Sequence, residues 1–183
     1  MTSTRGFSHT QLLALMAVLA LLAMVAVPLF GATFKNIRGI AQIDSLQSGL
    51  ALARNQAIKR SGSVTICAGT GTACKTSDWA GGWVVFYTAP GERTPVLIRA
   101  FPATPGFRLS SSGGRRFTFN QEGVAAPMST FVLCDSRGAA FARALDLDVS
   151  GQARIATTAG FDADGVTALS CDPDPNQSGR SAP

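Results

Sequence analysis

Residues able to do chemistry are few in this chain, and their spacing does not suit catalysis. The one histidine, His9, falls inside a long uncharged stretch, so no Ser-His-Asp or Cys-His relay can form in a domain beyond it. Asp146 and Asp148 would sit about 7 Å apart on one face of a strand, within the range of an acid/base pair. Their alternation with Leu145, Leu147 and Val149 instead marks them as the wet face of that strand. Gly69, Gly71, Gly81 and Gly82 lack the lysine and the following helix of a phosphate loop. The chain is therefore expected not to be an enzyme and to hold no cofactor. Cys67, Cys74, Cys134 and Cys171 include no C-x-x-C pair and have no histidine nearby, which argues against zinc and for two disulfides in an oxidising compartment. The sequence leaves the pairing open. The expected one joins Cys67 to Cys74 and Cys134 to Cys171, the second tying a weakly patterned tail to the rest.

Binding chemistry offers more. Trp79 and Trp83 flank Gly81-Gly82 and either expose aromatic rings to a ligand or pack into a small core; packing is the expectation, because indoles are large contributors to such cores. Between residues 31 and 160 there are 14 Lys or Arg against 7 Asp or Glu, while the last stretch carries Asp162, Asp164, Asp172 and Asp174 against Arg180. A basic surface built from Arg99, Arg108, Arg115, Arg116, Arg137, Arg143 and Arg154 attracts polyanions, and equally keeps a protein soluble.

The elements that position these residues follow from pattern. At 183 residues and 19.0 kDa the chain makes one compact domain and one additional element. No charged residue occurs from Phe7 to Phe34, a stretch longer than the roughly 20 apolar residues that cross a bilayer. A cleavable secretory signal fits less well, because Phe30-Gly31-Ala32 lacks the small-x-small pattern. Arg5 precedes the stretch and Lys35 and Arg38 follow it, so flanking charge does not orient it. The disulfides place the remaining domain in an oxidising compartment. Ile37, Ile40, Ile43, Leu46, Leu50, Ala53, Ala57 and Ile58 recur at three- and four-residue intervals, predicting an amphipathic helix that continues the first into one of about 50 residues. Pro28 should kink it, Gly31, Gly39 and Gly49 loosen it, and Ser61-Gly62-Ser63 end it.

Beyond Gly62 short β-rich runs appear at Val64 to Cys67, Trp83 to Thr88, Val96 to Phe101, Arg116 to Asn120, Thr130 to Cys134, Phe141 to Val149 and Ala153 to Thr157. Ser150-Gly151 reads as a hairpin turn. The fold class is α+β, with antiparallel sheet wrapped on the amphipathic half of the helix. The expected divisions, the leader and the periplasmic location being implied by the resemblance that follows, are a leader at 1–6, a transmembrane half-helix at 7–34, an amphipathic half at 35–61, a periplasmic β-rich domain at 62–171 and a flexible tail at 172–183.

The leader Met1 to Gly6 followed by Phe7 and a long apolar helix resembles the class III signal of type IV prepilins. The run Leu52 to Arg60, then Val64-Thr65-Ile66-Cys67, Cys74, Asp78-Trp79, Gly82-Trp83, Phe86, Phe117-Thr118-Phe119-Asn120, Gly123 and Leu133-Cys134-Asp135 resembles the GspH/FimT family of minor pilins and pseudopilins. The resemblance implies a type IV pilin fold, cleavage by a prepilin peptidase between Gly6 and Phe7, N-methylation of Phe7, and a kinking proline at Pro28. It also implies partnership with inner-membrane lipid and with other pilins or pseudopilins in a filament or tip complex. Three roles follow: a minor pilin, a type II secretion pseudopilin, or a DNA receptor in transformation. Two positions depart from the pattern. The family's intramembrane glutamate is Gln11 here, which accepts a hydrogen bond from an ammonium without cancelling its charge, so Gln11→Glu should strengthen filament incorporation. The Gly-Arg-x-Arg motif of DNA-binding relatives reads Gly151-Gln152-Ala153-Arg154, keeping one arginine. The candidate DNA contacts are Arg115, Arg116, Arg137, Arg143 and Arg154.

Overall fold

The computed structural model describes residues 8–171, without the side chains of residues 25–30. The leader 1–6, the Gly6–Phe7 junction and the tail 172–183 lie outside the described residues. Two compact units divide the chain, residues 1–38 and 39–183.

The first unit holds the start of helix α1 (His9–Arg60). Ser8 opens the helix, and its backbone N–H donates to Gln11 Oε1 at 3.1 Å. This is the reciprocal half of an S-x-x-Q capping box, in which the third helical residue reaches back to the cap. Leu12, Leu13, Leu15, Met16, Val18, Leu19, Leu21, Leu22 and Met24 follow, each roughly half exposed or more. Among the described residues no helix is long and apolar enough to cross a membrane; Phe7 and the side chains of 25–30, Pro28 included, fall outside that description.

In the second unit α1 continues from Gly39 as the spine of the core. Ile43, Leu46, Leu50, Ala53 and Ala57 are buried on one stripe, as their spacing predicts. Ile40 and Ile58 are 41% and 46% exposed, and Ile37, in the first unit, is 56% exposed, so none of these three belongs to the buried face expected of them. The places are taken by residues whose apolar character is low. Gly39 lies under the Phe107 ring, Gly49 under Trp83, and buried Gln42 accepts from Thr104 Oγ1. The helix ends in a Schellman motif: Ser61 takes φ 49°, its N–H bonds Ile58 O at 3.2 Å, and Gly62 N–H bonds Ala57 O at 3.1 Å. A Cβ on Gly62 would come within 2.9 Å of the Tyr87 ring, so a larger residue there would have to displace that half-buried side chain.

Among the described residues nine strands form two antiparallel sheets. The first has the order β3 (Val96–Pro102), β2 (Gly82–Tyr87), β1 (Val64–Ala68), β5 (Arg116–Phe119), β6 (Ala125–Ala126). The second has the order β4 (Arg108–Ser111), β7 (Ser129–Cys134), β8 (Arg143–Leu147), β9 (Ala153–Ile155). Ile66, Trp83, Val85, Phe117 and Phe119 from the first sheet meet Leu109, Phe131, Leu133, Leu145 and Leu147 from the second and the helix stripe in one cluster.

Strands β4 and β6 carry too little apolar sequence to be seen in advance. The run Phe141 to Val149 is shortened to β8, because Ala139–Phe141 forms a 3-10 turn and Val149 lies beyond the last register pair, 56% exposed. Ser150-Gly151 makes the β8–β9 turn, with Gly151 at φ 75° and its N–H on Asp148 O at 3.0 Å.

Both sheets are covered on their outer faces too. Over the first, Cys67, Val84 and Phe86 form a small buried cluster with Cys74, to which Cys67 is disulfide-bonded. Across the second runs the segment 160–171, expected to be weakly structured. Gly160 N–H bonds Ala142 O at 2.8 Å, Ala163 N–H bonds Asp146 Oδ2 at 3.1 Å, and Cys171 is disulfide-bonded to Cys134.

Candidate assembly and nucleic-acid surfaces

The tryptophans are core, not ligand platforms. Trp79 packs against Phe117 and Phe131 with centroids 5.5 and 5.1 Å away, and its Nε1–H donates to Gly114 O at 3.0 Å. Trp83 stacks on Phe101 at 5.4 Å and lays its indole over Gly49, where Nε1 finds no partner among the described residues. Both side chains are fully buried, as the packing expectation has it, and the segment Trp79 to Trp83 offers no exposed ring to a ligand.

The two aspartates on β8 and just after it are structural. Asp146 is not on a wet face: Oδ2 accepts from Ala163 N–H, and Oδ1 is buried without a partner among the described residues. Asp148 closes the hairpin, accepting from Ser150 Oγ at 2.5 Å and Gln152 N–H at 3.2 Å. The Ser150 hydrogen bond above all, then backbone N–H groups and the charge of Arg154, hold the Asp148 carboxyl below the usual carboxylate range. Asp162 is lowered likewise, chiefly by the Thr167 side chain, with backbone N–H groups of Thr167, Val166 and Gly165 adding to it. Among the described residues no three His, Cys, Asp or Glu group as a metal site.

The arginines do not converge. Arg137 is engaged by Asp135, with Nε at 3.1 and 3.0 Å from the two carboxylate oxygens and Nη2 at 2.5 Å from Oδ2, and it stacks 4.5 Å over Phe141. The Asp135 hydrogen bonds push its pKa up. Arg143 is half-buried, paired across the ladder with Leu133. Arg154 is exposed on β9 opposite Asp146 and feels the charge of Asp148. Arg108 donates to Cys171 O at 2.7 Å, and Arg99 lies 4.9 Å over Phe101. Arg115 and Arg116, at the entry to β5 in the other sheet, are exposed with no side-chain hydrogen bond or ion pair among the described residues, as are Arg99 and Arg154, but only these two are neighbours in the chain. Arg116 sits opposite Cys67 in the ladder, beside the Cys67–Cys74 loop that leads into Lys75.

An open cleft of about 390 Å³ runs between α1 and the β8–β9 hairpin, lined by Gln47, Ser48, Ala51, Arg54, Gly151 and Gln152 among others. Gln47 Nε2 donates to Ala153 O at 3.0 Å and Arg54 Nε to Gly123 O at 3.2 Å. Sequence reasoning passed over both side chains, because polar helix positions next to the buried stripe carry no signal of the hairpin they hold.

A long N-terminal helix whose later part is the spine of two antiparallel sheets, with the C-terminal segment disulfide-tied to the second, defines the pilin class of α+β folds. The chain belongs to the family of the type II transport protein GspH, whose profile matches residues 42–153. Two crystal forms of the type IV minor pilin FimU of Pseudomonas aeruginosa strain PAO1 share the fold. One superposes with a TM-score of 0.53 at 19% identity, covering 63% of this chain and 90% of FimU. The other has a TM-score of 0.55 at 20% identity, covering 66% and 90%. No curated protein sequence matches significantly. Family and fold are those of structural pilins, not of enzymes.

Proposed function

We propose that this chain is a low-copy minor type IV pilin, held in the inner membrane by the segment Phe7 to Phe34 until it enters a filament, with residues 39–171 displayed in the periplasm. The observation that carries the reading is the contrast along α1. Ile43, Leu46, Leu50, Ala53 and Ala57 are buried by the chain's own sheets, whereas the large apolar side chains from Leu12 to Met24 are exposed and nothing in the described chain covers them. Such a surface calls for lipid or the helices of other subunits. Prepilin cleavage after Gly6 and methylation of Phe7 belong to the same reading. Deleting the gene should lower surface piliation, and the chain should appear in sheared filaments at a small fraction of the major subunit. Loss of protein secretion with intact piliation would move the chain to a type II secretion pseudopilus instead.

A second reading, DNA binding, is favoured by one feature, the free guanidiniums of Arg115 and Arg116. Detergent-solubilised chain should then bind duplex DNA with affinity falling steeply in salt. The Arg115→Ala/Arg116→Ala variant should flatten that slope by about one unit for each phosphate it no longer neutralises. Unchanged binding in that variant, or none at about 50 mM salt, removes this reading.

A further inference from the structure

Residues 110–116, Ser-Ser-Ser-Gly-Gly-Arg-Arg, carry the chain from β4 into β5, and the core grips three successive residues of this turn. Buried Ser129 accepts at Oγ from Gly113 N–H at 3.0 Å, the buried indole of Trp79 donates to Gly114 O at 3.0 Å, and Ala68 N–H donates to Arg115 O at 3.1 Å. A Cβ at Gly113 would meet Met128 O and Phe117 at 2.8 Å, and Gly114 takes φ 96°, so this path needs both glycines. In a trans peptide the N–H points opposite to the C=O. With Gly114 O turned onto the indole, Arg115 N–H is turned away from the core, and it has no partner among the described residues. The guanidiniums of Arg115 and Arg116 leave from the same turn, exposed and without an ion pair. Arg116 lies opposite Cys67 in the ladder, and the Cys67–Cys74 disulfide brings Lys75 near it. Asp78, one residue before Trp79, is turned onto its own loop, accepting from Ala80 N–H at 3.0 Å. A fixed main-chain donor flanked by guanidiniums suits a phosphate oxygen. Residues 110–116 include no apolar or aromatic side chain, so the turn has neither a wedge for a bilayer nor a ring for a base to stack on.

We propose that the turn 113–116 is a phosphate-binding site for a nucleic-acid strand, in which Arg115 N–H donates to a phosphate oxygen while the Arg115 and Arg116 guanidiniums neutralise the charge around it. The inference rests on the second reading above and deepens it: the main chain makes a contact of its own, and the strand is held by its backbone and not by its bases.

The test uses the full-length chain in detergent micelles, labelled for amide NMR, at about 50 mM salt. Titration with a short DNA duplex should move the Arg115 backbone amide proton downfield together with the Nε–H signals of Arg115 and Arg116, while Gly69, whose N–H is bonded to Gly82 O, stays in place. Duplexes of different sequence should agree in affinity within about twofold. Arg115→Ala keeps the main-chain donor, so the amide at that position should still move, at an affinity about tenfold weaker. Arg115→Pro removes the donor as well and should weaken binding by roughly another tenfold with tryptophan emission unchanged. Where that emission is lost, the amide shift of the wild-type chain decides. Duplex binding that leaves the Arg115 amide unmoved would overturn the proposal and leave the DNA reading standing, as would equal affinity of the folded alanine and proline variants. Movement of that amide with inorganic pyrophosphate or with phosphatidylglycerol in the micelles, but not with duplex, would overturn the nucleic-acid occupant and assign the phosphate to that other source. No binding and no movement with any of the three overturns the site and the DNA reading together.

Discussion

Gly49 and Gly39 lie on the same buried helix face, yet a methyl group would meet different neighbours at each. At Gly49 a Cβ would come 2.9 Å from Trp83 Nε1, with Ile66 and Phe101 at 3.4 Å, so Gly49→Ala forces a buried indole to move and costs about 1–3 kcal/mol. Alanine returns about 1 kcal/mol of helix propensity, leaving a net loss. At Gly39 the nearest atom is Phe107 Cε1 at 3.4 Å, ordinary contact, so Gly39→Ala should be neutral or stabilising. Denaturant unfolding of the two variants, followed by tryptophan fluorescence, checks the contrast. Neither glycine could be assigned its place from sequence, where both read only as weak points in a helix. Asp148 and Asp162 give a pH prediction. Their folded pKa values lie below the ordinary range, near about 3.9 when unfolded. Their contribution is therefore fully present above that value and is lost as pH falls through the folded pKa. Thermal melts should drop below about pH 4, and Asp148→Asn should show a flatter acid limb than wild type.

At the scale of elements, strands with alternating Leu145 and Leu147 or continuous runs such as Trp83 to Phe86 were legible, because burial on one or both faces leaves a period in the sequence. Strand β4 was not, since Leu109 is its one buried side chain and backbone pairing to β7 makes the rest. Of the strap 160–171 only its Cys134–Cys171 tie was expected; its path was not legible, because it is held by main-chain bonds and one Asp146 oxygen, which leave no hydrophobic period. Its dependence on the cystine is testable. Cys171→Ser, leaving Cys134 reduced, should lower stability by about 2–4 kcal/mol in the loop-entropy picture. Hydrogen exchange should quicken at the amides of Gly160, Ala163 and Leu169, with Gly69 in the first-sheet loop unchanged. Uniform protection across these amides would mean that the strap holds without its disulfide. The candidate DNA surface fared less well than the fold. Arg137 lies two residues from its partner Asp135, a pairing readable in advance. The separation of Arg115 and Arg116 from Arg143 and Arg154 depends on strand order, which residue spacing does not encode.

Taken as a whole molecule, the chain buries apolar surface where it can do so alone and leaves it open from Leu12 to Met24. The central claim is that this open helix is the mature N-terminal anchor of a filament subunit, and the most direct check is the intact mass of the chain recovered from membranes and sheared filaments. The account predicts a single species starting at Phe7, with the mass of one added methyl group and of two disulfides. A species starting near Ala32 in the soluble periplasmic fraction, with the helix cut away, would contradict it.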